Sequence, residues 1–128
     1  KNHPLSARPY IEATDFVDQN VITYPVPKER LDLFSQILLP AGIEPLSVRQ
    51  VELTSVILLL VGANKGVSVL PDWVLHSSRE TEDLTQKKLT KDGVKRKLYA
   101  AVRRRDSDKL YIETFLSLSK NILSHLTA

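Results

Sequence analysis

Apolar positions along the chain change period several times, and the changes outline alternating strands and helices. Residues 20–24, Asn-Val-Ile-Thr-Tyr, have the β-branched and aromatic content of a buried strand, closed by Pro25 and Pro27. Over residues 28–39, Leu31, Phe34, Ile37 and Leu38 fall on one side of a 3.6-residue period, which predicts an amphipathic helix. Pro40-Ala41-Gly42 stops it. Ahead of this unit the chain reads as an opening loop and then a short helix. Thr14 or Asp15 would cap that helix, with Phe16 and Val17 facing inward. Residues 46–52 make a second strand.

Val56-Ile57-Leu58-Leu59-Leu60-Val61 is apolar throughout, so its period is hidden. Thr54 or Ser55 as an N-cap, a left-handed stop at residues 64–66 and a helix-length span between them favour a helix. A helix apolar all round is expected to be buried on several sides. Residues 67–70 form a third strand, and Pro71 opens a short helix where its missing N–H costs least. Residues 77–83 are a polar loop. Strands at 84–89 and 97–104 then flank a turn at Asp92-Gly93. A last helix from Ser107 carries Tyr111, Phe115, Leu118 and Ile122 as a stripe that Ile112, Leu116 and Leu123 widen. Strands alternating with helices over short connections predict parallel βαβ units. The fold class is therefore α/β, a mixed but largely parallel sheet with helices on both faces.

A length of 128 residues suits one cored domain, and 42% hydrophobic with 26% charged residues excludes disorder. With no cysteine there is no disulfide framework and no thiolate metal site. With no methionine and a start at Lys1, the chain reads as a piece of a longer protein. Residues 1–10 hold two prolines and no apolar run, unlike a signal peptide. The longest apolar run falls far short of the ~20 residues that cross a bilayer, so no membrane association is expected. The net charge of +3 is uneven: residues 79–109 hold 11 Lys or Arg against six Asp or Glu. Because acids interleave with the bases, a solvated face is the favoured reading. Arg103-Arg104-Arg105 likewise marks the end of a strand meeting solvent.

Nothing in the sequence looks catalytic. His3, His76 and His125 show no metal-ligand spacing, and Asp72 with His76 at i and i+4 is a surface pair. There is no P-loop, no G-x-G-x-x-G and no nucleophile elbow. No cofactor is expected. Ligand binding has better support, because an open α/β sheet binds ligands beyond the carboxyl ends of its strands, where helices begin. Those edges hold Tyr24-Pro25-Val26, Glu52-Leu53-Thr54-Ser55 and Leu70-Pro71-Asp72-Trp73. Helix N-termini and the hydroxyls of Thr54 and Ser55 suit a carboxylate, Glu52 an ammonium group, and Tyr24, Val26 and Trp73 an apolar wall. Such a site would take a small zwitterion. An equally open reading has Thr54 merely capping its helix and Trp73 filling the core.

Val61-Gly62-Ala63-Asn64-Lys65-Gly66-Val67-Ser68-Val69-Leu70-Pro71 resembles the helix–glycine–strand–proline signature of LysR-type transcriptional regulators. The likeness continues through Ile22-Thr23-Tyr24-Pro25-Val26, Arg30-Leu31-Asp32 and Leu39-Pro40-Ala41-Gly42. It extends to Leu70-Pro71-Asp72-Trp73-Val74 and Lys97-Leu98-Tyr99-Ala100-Ala101-Val102-Arg103, and is nearest to the members that govern methionine biosynthesis. Asn64 stands where the family commonly has glycine, and Asn tolerates the same left-handed backbone. Residues 79–97 match weakly.

The resemblance implies a type II periplasmic-binding-protein-like fold, with residues 1–104 as the second subdomain of the effector region. Residues 105–128 would be a helix returning towards the first subdomain. It implies a winged helix-turn-helix and a first subdomain outside this chain, DNA contact only through that reader, self-association and a cytoplasmic location. It implies homocysteine as co-effector, its carboxylate held by Thr54 and Ser55 and its cleft floored by Tyr24, Pro25, Val26, Leu70 and Pro71. Glu52 would meet the ammonium group. A solute-binding module of a transport system shares the fold and is the alternative. An α/β enzyme would need Glu52 or Asp72 as its acid or base.

Overall fold

The computed structural model describes residues 2–77 and 83–126, with the side chains of 76, 77, 125 and 126 left aside. The chain divides into two compact units, residues 1–71 with 78–94 and residues 72–77 with 95–128. In the first, β1 (Tyr10–Ile11) follows a 3-10 turn at Pro4–Ala7 and precedes another at Ala13–Phe16. Then come β2 (Asn20–Thr23), a 3-10 turn at Lys28–Arg30, a π-helical turn at Leu33–Leu38 that runs into α1 (Leu39–Ala41), β3 (Ser47–Gln50) and α2 (Thr54–Gly62). The second unit holds α3 (Asp72–Ser77), a 3-10 turn at Arg104–Asp106 and α4 (Leu110–Leu126). A fourth strand, β4 (Lys88–Leu89), belongs to the first unit.

Strand pairing is parallel throughout, as the alternation of strands and helices predicts. β2 pairs with β3 from Asn20↔Ser47 to Thr23↔Gln50, and Val67 bridges Val21, putting β2 in the middle. Alternation along β2 serves two layers. Val21 joins Ile11, Phe16, Leu33, Phe34 and Leu38 in one buried cluster, with Val67, Val48 and Leu89 packed on it. Ile22 and Tyr24 turn to the other face, where Tyr24 reaches α2; Ile22 and Ile57 are fully buried.

The helix expected at 28–39 is broken into a 3-10 turn, a π turn and α1. Pro40 has no N–H for the Gln36 carbonyl and its ring crowds that carbonyl, so the wider turn, with Leu39 N–H on the Phe34 carbonyl, accommodates it. The wider turn also brings Leu33 round beside Leu38 into the core, a position the 3.6-residue period does not select. Gly42, left-handed at φ +66°, ends the run as expected, with Ile43 N–H donating to Leu38 C=O and Gly42 N–H to Leu39 C=O.

Other expectations need correction. The opening loop contains β1, which pairs with β4 as Tyr10↔Lys88 and Ile11↔Leu89. The strand expected at 84–89 shrinks to Lys88–Leu89, and 97–104 forms no ladder among the described residues. Leu98 and Tyr99 there are exposed. Phe16 is buried, but Val17 faces solvent. The last helix starts at Leu110; its predicted stripe of Tyr111, Phe115, Leu118 and Ile122 is exposed, while Ile112, Leu116 and Leu123 are half-buried. Most of the polar loop at 77–83 lies outside the described residues.

In the 3-10 turn at Ala13–Phe16 the cap position falls to Glu12 and not to Thr14 or Asp15; Asp15 is the third residue of the turn. Its carboxylate accepts from the Glu12 N–H at 2.9 Å and meets the Arg8 guanidinium at 2.8 Å. Arg8 is exposed, so the backbone bond carries most of the stabilisation. Asp15→Ala should lower stability by about 1 kcal/mol, read as a lower urea midpoint at unchanged slope. Replacement of Arg8 by Ala should cost less than half as much; equal losses would shift the credit to the ion pair.

Candidate effector site

Parallel strands bring their carboxyl ends together on one edge of the sheet. Beyond Thr23 the ladder continues for one bond, Val51 N–H to Thr23 C=O at 2.8 Å, and then the chains part. Val26 N–H turns back onto Tyr24 C=O at 2.8 Å, holding Tyr24-Pro25-Val26 as a tight bend above the end of β2. Tyr24 and Val26 are half-buried and Pro25 is exposed. Leu70, half-buried, and Pro71, exposed, follow the segment that bridges β2 at Val67. Glu52, two residues ahead of α2, and Ser55, the second residue of α2, are exposed.

Thr54 is the first residue of α2, and Leu53 takes the cap position without offering a side-chain bond. The Thr54 hydroxyl does not cap its own helix. It bonds the Tyr24 hydroxyl at 2.7 Å, tying the end of β2 to the start of α2 across 30 residues of sequence. The first amide of α2 to bond within the helix is that of Ile57, which donates to Leu53 C=O at 3.1 Å. The N–H groups of Thr54, Ser55 and Val56 thus stand at the positive end of the helix with no side-chain cap. Hydroxyls and helix-terminal amides together make an acceptor-seeking corner, the chemistry that holds a carboxylate.

At the far end of α2, Asn64 is left-handed at φ +56°, in the role the sequence assigns it. Ile57 and Leu58 are buried, but Leu53, Val56 and Leu59 are exposed, so burial on several sides does not hold. Trp73 is 49% exposed and belongs to the second unit, which removes it from the core. Asp72 accepts from the Trp73 N–H at 2.8 Å, and among the described residues no cluster of His, Cys, Asp or Glu would hold a metal. Arg103, Arg104 and Arg105 are exposed, and Asp106 pairs with Arg105 and Lys109. One feature escapes the sequence altogether: an open depression of about 490 Å³ lined by Lys28, Glu44, Pro45, Ser47, Val48 and Gln50. Those residues share no spacing that would announce it.

Residues 1–123 match the family described as the LysR substrate binding domain. The chain belongs to that family. Its LysR relatives include the HTH-type transcriptional regulator MetR of Haemophilus influenzae, 37% identical over 121 residues. The MetR of Escherichia coli K12 is 34% identical over 120 residues. Both alignments cover 94% of this chain but only 39% and 37% of the relatives, so the chain spans well under half their length. Among solved structures, the regulatory domain of MetR, a LysR family regulator from N. meningitidis, superposes with a TM-score of 0.77 at 42% identity. That superposition covers 89% of this chain and 52% of the other. The fold is accordingly the mixed, largely parallel α/β fold of periplasmic binding proteins. Its relatives are regulators of transcription, in line with a sequence that shows no catalytic constellation. Among the described residues no helix is long and apolar enough to cross a membrane.

Proposed function

We propose that this LysR-type domain, related to MetR, senses homocysteine on behalf of a cytoplasmic regulator of methionine biosynthesis. The observation that carries the reading is the corner where Tyr24 and Thr54 join beside the uncapped start of α2. The effector's carboxylate lies against the Thr54 and Ser55 hydroxyls and the helix amides; Tyr24, Pro25, Val26, Leu70 and Pro71 form the floor. Glu52 takes the ammonium group. Residues 1–104 act as the second subdomain of the effector region, and residues 105–128 return as a helix towards the first. DNA is read by a winged helix-turn-helix elsewhere in the regulator, which works as a self-associated assembly and uses no cofactor besides its co-effector. Relatives named as transcriptional regulators support this over a solute-binding module of a transport system.

The test is calorimetric titration of the whole regulator with L-homocysteine, beside methionine and a hydroxy-acid control. Homocysteine alone should give saturable heat. Thr54→Ala should weaken that binding about tenfold and leave operator affinity without effector unchanged, as expected for loss of a hydrogen bond to a charged group. Equal affinities in parent and variant would take Thr54 out of the site.

A further inference from the structure

We propose that the Tyr24 hydroxyl is a positioning group that aims the Thr54 O–H at the effector's carboxylate and so sets the site's preference for amino acids over amines. The inference rests on the effector-site reading above and adds to it a role for Tyr24 beyond an apolar wall.

Two hydroxyls 2.7 Å apart share one hydrogen bond, which uses one of their two protons and leaves the other to point elsewhere. Which proton is left follows from acidity. The 2.7 Å distance allows either hydroxyl to donate, and we assign that role to Tyr24, since a phenol is far more acidic than an aliphatic alcohol, with Thr54 Oγ1 accepting. The Thr54 proton is then the free one, and a hydroxyl that accepts a bond becomes a stronger donor in a half-buried setting.

Other helical hydroxyls in this chain show what Thr54 would otherwise do. Ser35 donates to the Leu31 carbonyl at 3.1 Å and Thr114 to the Leu110 carbonyl at 2.8 Å, each four residues back. Such bonds use up the proton within the helix. Thr54 opens its helix, so the carbonyl four residues back, that of Gln50, belongs to β3 and not to α2. The position that denies Thr54 a helical acceptor is the one that places it opposite Tyr24. A carboxylate is the ligand group that accepts from this O–H and from the first amides of α2 together. An amine without a carboxylate has nothing for either.

The experiment is a double-mutant cycle in the whole regulator, with Tyr24→Phe, Thr54→Ala and the pair, titrated with L-homocysteine and with its carboxylate-free analogue 3-aminopropane-1-thiol. Thr54→Ser serves as the conservative rescue, and thermal unfolding checks that each variant is folded. Tyr24→Phe should weaken L-homocysteine about three- to tenfold, the worth of one hydrogen bond, and leave the analogue unchanged. The double variant should bind no worse than Thr54→Ala alone, because Tyr24 acts only through Thr54. Thr54→Ser should keep the parent's sensitivity to Tyr24→Phe. Strictly additive losses would overturn the inference by making Tyr24 a separate contact. An effect of Thr54→Ala without one of Tyr24→Phe would also overturn it while leaving the effector site standing. If neither variant changes binding, or the parent does not bind L-homocysteine, the site and the inference fall together.

Discussion

Gly66→Ala should lower the stability of the domain by about 3 kcal/mol, seen as a fall of about 10 °C in Tm. A Cβ at this position would lie 2.4 Å from the Asn20 carbonyl oxygen and 3.2 Å from Ile22 Cδ1. The first contact is with backbone, which has no rotamer to change. That same carbonyl accepts the Val67 N–H at 2.9 Å, and the Ile22 N–H donates to Val67 C=O at 2.8 Å. The strand expected at 67–70 is only a single bridge at Val67, so relieving the clash means prising residue 67 from β2, and the two bonds that make that bridge go with it. Residue 66 leads directly into the segment that ends at Leu70 and Pro71, so effector binding should weaken as well. Differential scanning calorimetry measures the first effect. A Tm within 2 °C of the parent would mean that the chain shifts here without loss.

Ile57→Ala should cost about 3 kcal/mol, while Leu59→Gln on the same helix should stay within about 0.5 kcal/mol of the parent. Ile57 is fully buried, so truncation removes apolar contact and leaves a cavity. Leu59 is 59% exposed, so its side chain loses little when it becomes polar. Urea unfolding of the two variants, with the slope as a check on two-state behaviour, reads the contrast directly. Equal losses would mean that the outer face of α2 is covered and not open to solvent.

The contrast along α2 also shows how far the sequence can be read. That α2 is a helix is legible, because a cap region, a left-handed stop and a sufficient span surround an apolar run. Asn64 adopts the backbone its residue type allows. Which sides of α2 are covered is not legible: an all-apolar run says what each face tolerates and not what meets it. The parallel order of β2, β3 and the segment at Val67 follows from alternating strands and helices over short connections. The π turn is a consequence of Pro40, but its effect on Leu33 depends on a change of period that only the folded backbone reveals.

Residues 97–104 mislead for a different reason. Their composition suits a strand, yet a strand exists only with a ladder partner, and composition cannot supply one. The candidate site divides in the same way. The topology rule brings Tyr24, Thr54 and Leu70 to one edge, since all three follow strands that run in the same direction. The bond between the Tyr24 and Thr54 hydroxyls is a contact across 30 residues that no local pattern records.

The pairing of β1 with β4 bears on how the protein is made. Tyr10 leaves the ribosome about 78 residues before its partner Lys88. At about 5–20 residues per second, β1 waits roughly 4–16 s with its hydrogen-bonding edge open. A contact so distant in sequence closes late, since the long loop must be gathered before the ladder returns any stability. The segment around β2, β3 and α2 needs only residues up to 67 to assemble, so it is complete while β4 is still being synthesised. During that interval the nascent chain presents an open strand beside a core still lacking Leu89, the state in which a chaperone or a neighbouring nascent chain would engage it.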